Sequence, residues 1–396
     1  MSVRPPIPPP VRQARVAVSI AFFIMGFVLG LWFVHIPVVA ARLELEPAAL
    51  GVSLLALGIG SLLFQPVAGV LVARVGSRRG ATVFLAMLLV CIMLPVNMPN
   101  VMALTISLFA AGAVGGAFNV AINTQAAEIE NALGRPAMST FHGFFSVGAL
   151  AAAGVGAMLF VIGVGDGRGM IAVPALLLPL ALLIGTRFLE RARSAPTQRR
   201  YALPGPALLP LVGLAVLCTT IEFSVNDWST LFLREGKGMP ASEATLGFAM
   251  FSLAMAVMRF AGARAVDRFG EKTVVAMGGL LVALGMALAL AGPPGLASAA
   301  GFLFVGIGVA NLAPLLMSQA SRVPGTDPGI GVAATGTGLT SGILLTPPIV
   351  GFVAQATSLH VALALVGACG LVIAVGALFR DWRPVGQADD GDQRSA

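Results

Sequence analysis

Twelve apolar stretches of about 20 residues, parted by short connections that hold nearly all the charge, decide what this chain can fold into. They fall at 16–40, 48–73, 80–97, 101–125, 141–163, 170–188, 208–233, 242–262, 272–292, 296–320, 330–357 and 359–380. A helix of that length crosses a hydrocarbon core. In lipid every backbone N–H and C=O must be bonded within the protein, so only helices and closed barrels span it. Barrel strands are shorter and alternate in polarity, which these continuous runs do not. The expected class is therefore an all-α membrane protein with twelve transmembrane helices. Charged residues are 10% of the 396, where a soluble domain carries about 25%.

Lys and Arg divide unevenly between alternate connections. One set holds Arg4, Arg12, Arg15, Arg74, Arg78, Arg79, Arg135, Arg187, Arg191, Arg193, Arg199, Arg200, Arg259, Arg264, Arg268, Lys272, Arg322, Arg380, Arg383 and Arg394, which is 20 of the 24. The other holds Arg42, Arg168, Arg234 and Lys237. Basic residues stay on the cytoplasmic side, so both termini are expected there, in a multi-pass cell (inner) membrane protein. The net charge of +7 follows from the same asymmetry and suits contact with anionic headgroups. The Arg residues are scattered over helix ends without aromatic interleaving, so no nucleic-acid partner is expected.

Residues 1–15, rich in Pro and basic, read as a disordered cytoplasmic tail, and 381–396, with Asp389, Asp390 and Asp392, as another. The first apolar run is too long for the core of a signal peptide. Cys91, Cys218 and Cys369 lie inside spans as packing residues, with no metal spacing and no cofactor motif. Glycine, 48 of 396, permits the close helix approach on which packing in lipid depends.

The longest connection, 187–207, is charged and contains Pro196 and Pro204. It separates a six-span half, 16–186, from a second, 208–380. Arg74-Val75-Gly76-Ser77-Arg78 echoes Arg268-Phe269-Gly270-Glu271-Lys272 at an offset of 194 residues. Gly116-x-x-Asn119 echoes Gly308-x-x-Asn311 at 192. Duplicated halves are how many secondary transporters are built, with the site near the midplane between them.

On these features the chain resembles the major facilitator superfamily over essentially its whole length. The signature after span 2 is Gly69-x-Leu71-x-Ala73-Arg74-x-Gly76-x-Arg78-Arg79. Relatives usually have an acid where Ala73 stands; the second-half copy keeps it, as Asp267-Arg268-Phe269-Gly270. The resemblance implies a fold of two pseudo-symmetric six-helix halves, and a cytoplasmic gate at Arg74, Arg78, Arg79, Asp267 and Arg268. A finer resemblance is to the fucose-permease-like branch and its YbjJ-like bacterial inner-membrane group. It rests on Trp32 and Pro37, Asn123 to Glu130, Gly134-Arg135-Pro136-x-Met138, Phe141-His142-Gly143, Glu222, Asp227-Trp228-Ser229 and Pro347-Pro348-x-x-Gly351. Asn119 stands where relatives often have Asp.

Glu222 is the most informative single residue. It lies about fourteen residues into span 7, near mid-bilayer at about 1.5 Å per residue. A carboxyl there faces a water-filled cavity or is protonated. Thr219, Asn226 and Ser229 fall within about 60° of it on a helical wheel, a stripe that suits a hydrated pathway. A static hydrogen bond to a neighbouring helix is the plainer alternative. Asp227 and Trp228, nearer the outer end, fit an anchor at the membrane interface, with Asp227 and His35 as further proton-coupling candidates. Trp32 and Trp228 have faces for a sugar-like or cationic ligand. Asn119 and Asn123, one turn apart beside Gly112 and Gly116, fit either ligand contact or helix–helix glue, as does Asn311. His142 opens span 5 and suits gating or a hydrogen bond to the loop before it.

No Walker loop, metal-ligand set or nucleophile elbow is present, so neither ATP-driven pumping nor enzymatic chemistry is expected. Span 5 has Ser146-Val147-Gly148 and lacks the Gly-Pro of drug/proton antiporters. The expected function is secondary active transport of a small polar solute, sugar-like or an organic metabolite, coupled to protons, by a monomer working through alternating access. Proton-driven efflux of amphipathic compounds and a non-transporting sensor or scaffold are the alternatives.

Overall fold

The computed structural model describes residues 8–134, 137–190, 205–379 and 382. Twelve helical spans cross it: α1 (Pro9–Arg42), α2 (Pro47–Val75), α3 (Ser77–Cys91), α4 (Val101–Leu133), α5 (Met138–Val161), α6 (Arg168–Gly185), α7 (Leu209–Leu231), α8 (Ala241–Phe269), α9 (Glu271–Ala291), α10 (Leu296–Val309) with α11 (Leu312–Ala320), α12 (Pro328–Ala356) and α13 (Leu359–Leu378). The helices start where local chemistry permits. Pro opens α1, α2 and α12, where its missing N–H costs nothing. Asn100, Asp327 and Ser358 accept the first free N–H groups of α4, α12 and α13.

Three helices outrun their hydrophobic core. α2, α4 and α8 continue to Val75, Leu133 and Phe269 at the end of the molecule that carries both termini. α1 likewise begins at Pro9, so residues 9–15 are helical rather than tail, because Pro8 and Pro9 suit a helix start and nothing from Val11 to Arg15 breaks the turn. Arg4, Arg135, Pro136, the linker residues Arg191, Arg193, Pro196, Arg199, Arg200 and Pro204, and the tail residues Arg380, Arg383, Asp389, Asp390, Asp392 and Arg394 lie outside the described residues.

The two halves repeat each other contact by contact. A side chain at Gly112 would strike the Leu57 carbonyl, and one at Gly306 the Phe251 carbonyl. Gln125 donates to Ser77, and Gln319 to Glu271. In both cases the second pair lies 194 residues after the first. Gly76 and Gly270 join α2 to α3 and α8 to α9 with φ of 90° and 78°, a backbone that favours glycine and explains that letter of the loop signature. The same offset corrects one expected equivalence. Asn119 is matched by Ala313, and Asn311 by Ala117, so the 192-residue echo is not structural.

Three of the four basic residues at the far end, which run against the charge asymmetry, have hydrogen-bonded local partners. Arg42 donates to the carbonyls of Val96 and Met98 at 3.0 and 2.7 Å, just past α3. Lys237 donates to those of Leu290 and Gly292 at 2.6 and 2.8 Å, at the end of α9. A cation at a helix C-terminus satisfies carbonyls that have no partner within the helix. Arg168 pairs with Asp166 at 3.0 Å, and its hydrogen bond holds that carboxyl below the usual range.

Contact between the halves is uneven. At the far end α2 and α12 touch through bare backbone: a side chain at Gly51 would run into the Pro347 carbonyl, and the Cβ of one at Gly351 would fall 3.2 Å from the Gly51 Cα. Gln355 accepts from the Ala48 N–H at 3.1 Å and donates to Glu46 at 2.6 Å. The two halves also meet where α5 begins, Ser139 reaching the Arg259 carbonyl of α8.

Candidate functional site

Glu222 sits midway along α7, and the side chain that meets it comes from α8. Arg259 Nη2 donates to Glu222 Oε1 at 3.3 Å, the two side chains being 17% and 19% exposed. The same guanidinium donates through Nη1 to Ser146 Oγ at 2.9 Å and to the His142 carbonyl at 3.4 Å, both on α5. The Ser139 hydroxyl donates to the Arg259 carbonyl at 2.8 Å. One arginine thus joins α7 and α8 of the second half to α5 of the first. Gly143 allows this approach, since any side chain there would meet the ring of Phe260.

The pairing makes electrostatic sense. An ion out of water is costly unless compensated, and each of these charges compensates the other. Among the described residues Glu222 is the charged group that Arg259 meets, and the other hydrogen bonds of its guanidinium go to α5. The sequence placed Arg259 among residues that fix topology, yet it lies inside α8, well before its end at Phe269. A signal did exist: the repeat offset matches Arg259 to Gln65, another polar residue within a span.

The stripe expected around Glu222 is divided. Thr219 is buried and donates to the Leu339 carbonyl of α12 at 2.9 Å, so it fastens helices rather than lining a path. Ser229 is fully buried. Asn226 alone shares the partial exposure of Glu222 and has no hydrogen bond among the described residues.

Asp227 and Trp228 do not anchor at an interface, for they are 4% and 0% exposed. α7 is enclosed there by α1, α2 and α12, so a residue near its far end faces protein instead of headgroups. Asp227 borders a cavity of ≈20 Å³ with Trp32, Phe33, Leu54, Leu57, Gly58, Phe223, Ile343 and Pro347, between the halves. That is room for about one water. Trp32 is fully buried, and its indole N–H has no partner among the described residues. The Trp228 indole N–H is likewise unpartnered. His35 is fully buried on α1, its Nδ1 at 2.7 Å from the Leu31 carbonyl and its Nε2 without a partner.

Asn119 and Asn123 lie on a larger opening. With Gln65, Thr124, Glu128 and Asn131 they line a cleft of ≈430 Å³ on α2 and α4. Asn123 donates to the Asn119 side-chain oxygen and, at 2.8 Å, to its backbone carbonyl. Asn311 is elsewhere. It interrupts the tenth span between α10 and α11, and its amide occupies the space over Gly262 of α8. It packs against a neighbouring helix and lines no described cavity with Asn119.

The loop residues behave as two groups. Arg78 donates to the Thr186 carbonyl at 2.7 Å and pairs with Glu190 at 3.5 Å, within its own half. Arg74, Arg79 and Asp267 are exposed without partners among the described residues, and Arg268 stacks only on Phe269. Among the described residues none of them bridges the halves. His142 contributes its carbonyl to Arg259 and its ring edge to Phe22, 5.2 Å between centroids.

Comparison with known proteins decides the family. The sequence profile of the Major Facilitator Superfamily matches residues 18–235 and 211–395. This chain belongs to the major facilitator superfamily. An uncharacterized MFS-type transporter of Yersinia pestis is 35% identical over 367 residues, 92% of this chain and 94% of that protein. The membrane protein MosC of Rhizobium meliloti is 32% identical over 379 residues, 94% of this chain and 91% of its own length. Among solved structures, a mutant of the nucleoside transporter NupG superposes with a TM-score of 0.77 at 13% identity, covering 93% of this chain and 100% of that one. The transporter FucP in its outward conformation gives 0.60 at 17% identity, over 93% and 98%. This facilitator is therefore a multi-pass membrane transporter of twelve helices in two related halves, and not an enzyme.

Proposed function

We propose that this transporter carries a small polar solute, sugar-like or an organic metabolite, across the inner membrane together with protons, by alternating access of its two halves. Both termini lie in the cytoplasm on this reading, so the seam between α2 and α12 at Gly51 and Gly351 lies on the outer side of the membrane. The observation that carries it is the Glu222–Arg259 pair, held between the halves by Ser146. An ion-coupled carrier needs a group whose charge state and cross-half contacts change together. Protonation of Glu222 would release Arg259 from α7 and change its hold on α5, so proton and conformation become linked. The amides of Gln65, Asn119 and Asn123 supply donors and acceptors for hydroxyl groups on the other side of the path. Structural relatives include a nucleoside transporter and a fucose:proton symporter, both for hydroxyl-bearing solutes.

The test is Glu222→Gln in proteoliposomes, with solutes first ranked by thermal stabilisation of the purified parent at two pH values. Equilibrium exchange should survive and accumulation driven by a pH gradient should be lost. Undiminished accumulation would refute Glu222 as the proton site. Asp227 and His35 would then be tested in turn.

A further inference from the structure

Lys272, at the start of α9, has no ion pair or hydrogen bond among the described residues, and it heads an apolar groove. The groove, ≈320 Å³, runs between α9 and α13 over Ala276 and Ala374, with Met277, Leu280 and Leu371 on its walls. Its floor is low because Gly279 meets the backbone of α13 at Gly370 and Ala374. Met277, Leu280, Leu371 and Val375 are 50%, 40%, 49% and 50% exposed, so this surface meets the hydrocarbon of the bilayer.

The repeat supplies an internal comparison. Lys272 corresponds to Arg78 at the 194-residue offset, and Arg78 is tied to the Thr186 carbonyl and to Glu190 at the end of α6. The positions that match Thr186 and Glu190, Arg380 and Pro384, lie outside the described residues, and among those described no carboxylate or carbonyl holds Lys272. Among the described residues Lys272 thus stands without a partner at the head of this apolar slot.

We propose that this slot is a binding site for an anionic phospholipid, with one acyl chain between α9 and α13 and the headgroup phosphate on Lys272. The apolar walls favour the chain, and the unpaired ammonium selects for net negative charge in the headgroup. Lys272 and its groove lie on the outer face of the second half, away from Glu222 and Arg259, so the site stands apart from the transport path.

The experiment uses the purified full chain in detergent, with bound lipid counted by native mass spectrometry and stability followed by thermal unfolding. Phosphatidylglycerol should bind and stabilise more than phosphatidylcholine of the same chains. Lys272→Gln should weaken phosphatidylglycerol binding about fivefold, and Lys272→Arg should restore it. Arg264→Gln removes an exposed charge at the same end without touching the groove and should have no effect. Equal loss in the Arg264 variant would mean diffuse electrostatics and overturn the site. So would unchanged binding in Lys272→Gln, equal binding of the two lipids, or full stabilisation by inorganic phosphate alone.

Discussion

Gln125 and Gln319 reach the same place in the two halves, but the charges around them are exchanged. Gln125 Nε2 donates to Ser77 Oγ at 2.7 Å, and Ser77 donates to Glu128 at 3.1 Å. In the second half the loop position is itself the acid, Glu271, and the position matching Glu128 is Arg322, which donates to Glu271 at 2.7 and 2.8 Å. One half ties its α3–α4 corner through a hydroxyl set between an amide and a carboxylate, and the other ties the matching corner with an ion pair in which one Arg322 nitrogen reaches both oxygens of Glu271. A carboxylate held by a cation depends on its partner more than one held by a hydroxyl.

The corners should therefore differ in what they contribute. Arg322→Gln leaves a carboxylate that is 13% exposed without its cation, and should cost about 1–3 kcal/mol. Ser77→Ala removes a hydroxyl that accepts from Gln125 and donates to the Glu128 carboxylate but strips no carboxylate of a cation, and should cost less, about 1.5 kcal/mol. Thermal unfolding in one detergent ranks the two, and an equal or reversed order would contradict the assignment.

Arg259 and Glu222 should behave as a unit. Arg259→Gln and Glu222→Gln each leave one partly buried charge alone, whereas the double variant leaves none. Each single change is expected to lower gradient-driven transport at least tenfold, about 1.4 kcal/mol. The double variant should be no less stable to heat than the worse single, the sign of non-additivity expected for contacting residues. Additive losses in stability would show that the pair is not coupled.

Closure at the far end should be trappable. In a background free of native cysteines, Ala48→Cys with Gln355→Cys puts thiols on two residues of opposite halves that are now joined by a 3.1 Å hydrogen bond. Oxidation should abolish transport and reduction should restore it. Continued turnover of the oxidised protein would mean that the far end does not open.

Sidedness can be read by labelling. Cysteines at Pro99 and Gly236, on far-end connections, should react with an impermeant thiol reagent in intact cells. A cysteine at Gln198, outside the described residues, should be protected. The reverse pattern would invert the proposed orientation.

The architecture was readable because lipid makes a simple demand. Twelve runs had to be long, apolar and helical, and they are. The repeat was readable at the loop glycines, where φ near 80–90° leaves little choice of residue. The site was readable only in part. Glu222 stood out because a carboxyl in a span needs an explanation. Arg259 did not, because Arg is common near helix ends, and the overrun of α8 past the hydrocarbon was invisible to hydropathy. Asn311 misled for a related reason. A two-letter echo cannot tell an amide that faces a cavity from one that fills the gap over Gly262. The enclosure of Asp227 and Trp228 depended on α1, α2 and α12, which helical spacing along α7 cannot reveal.

Gly51 and Gly351 have one more implication, for speed. Where two helices meet through bare backbone, few side chains must be withdrawn before they separate. Among the described residues the hydrogen bonds across that seam are those of Gln355 with Ala48 and Glu46. The seam resembles two smooth boards held by a single peg, and a carrier that must reopen the same door on every turnover is served by a latch that yields to a small force.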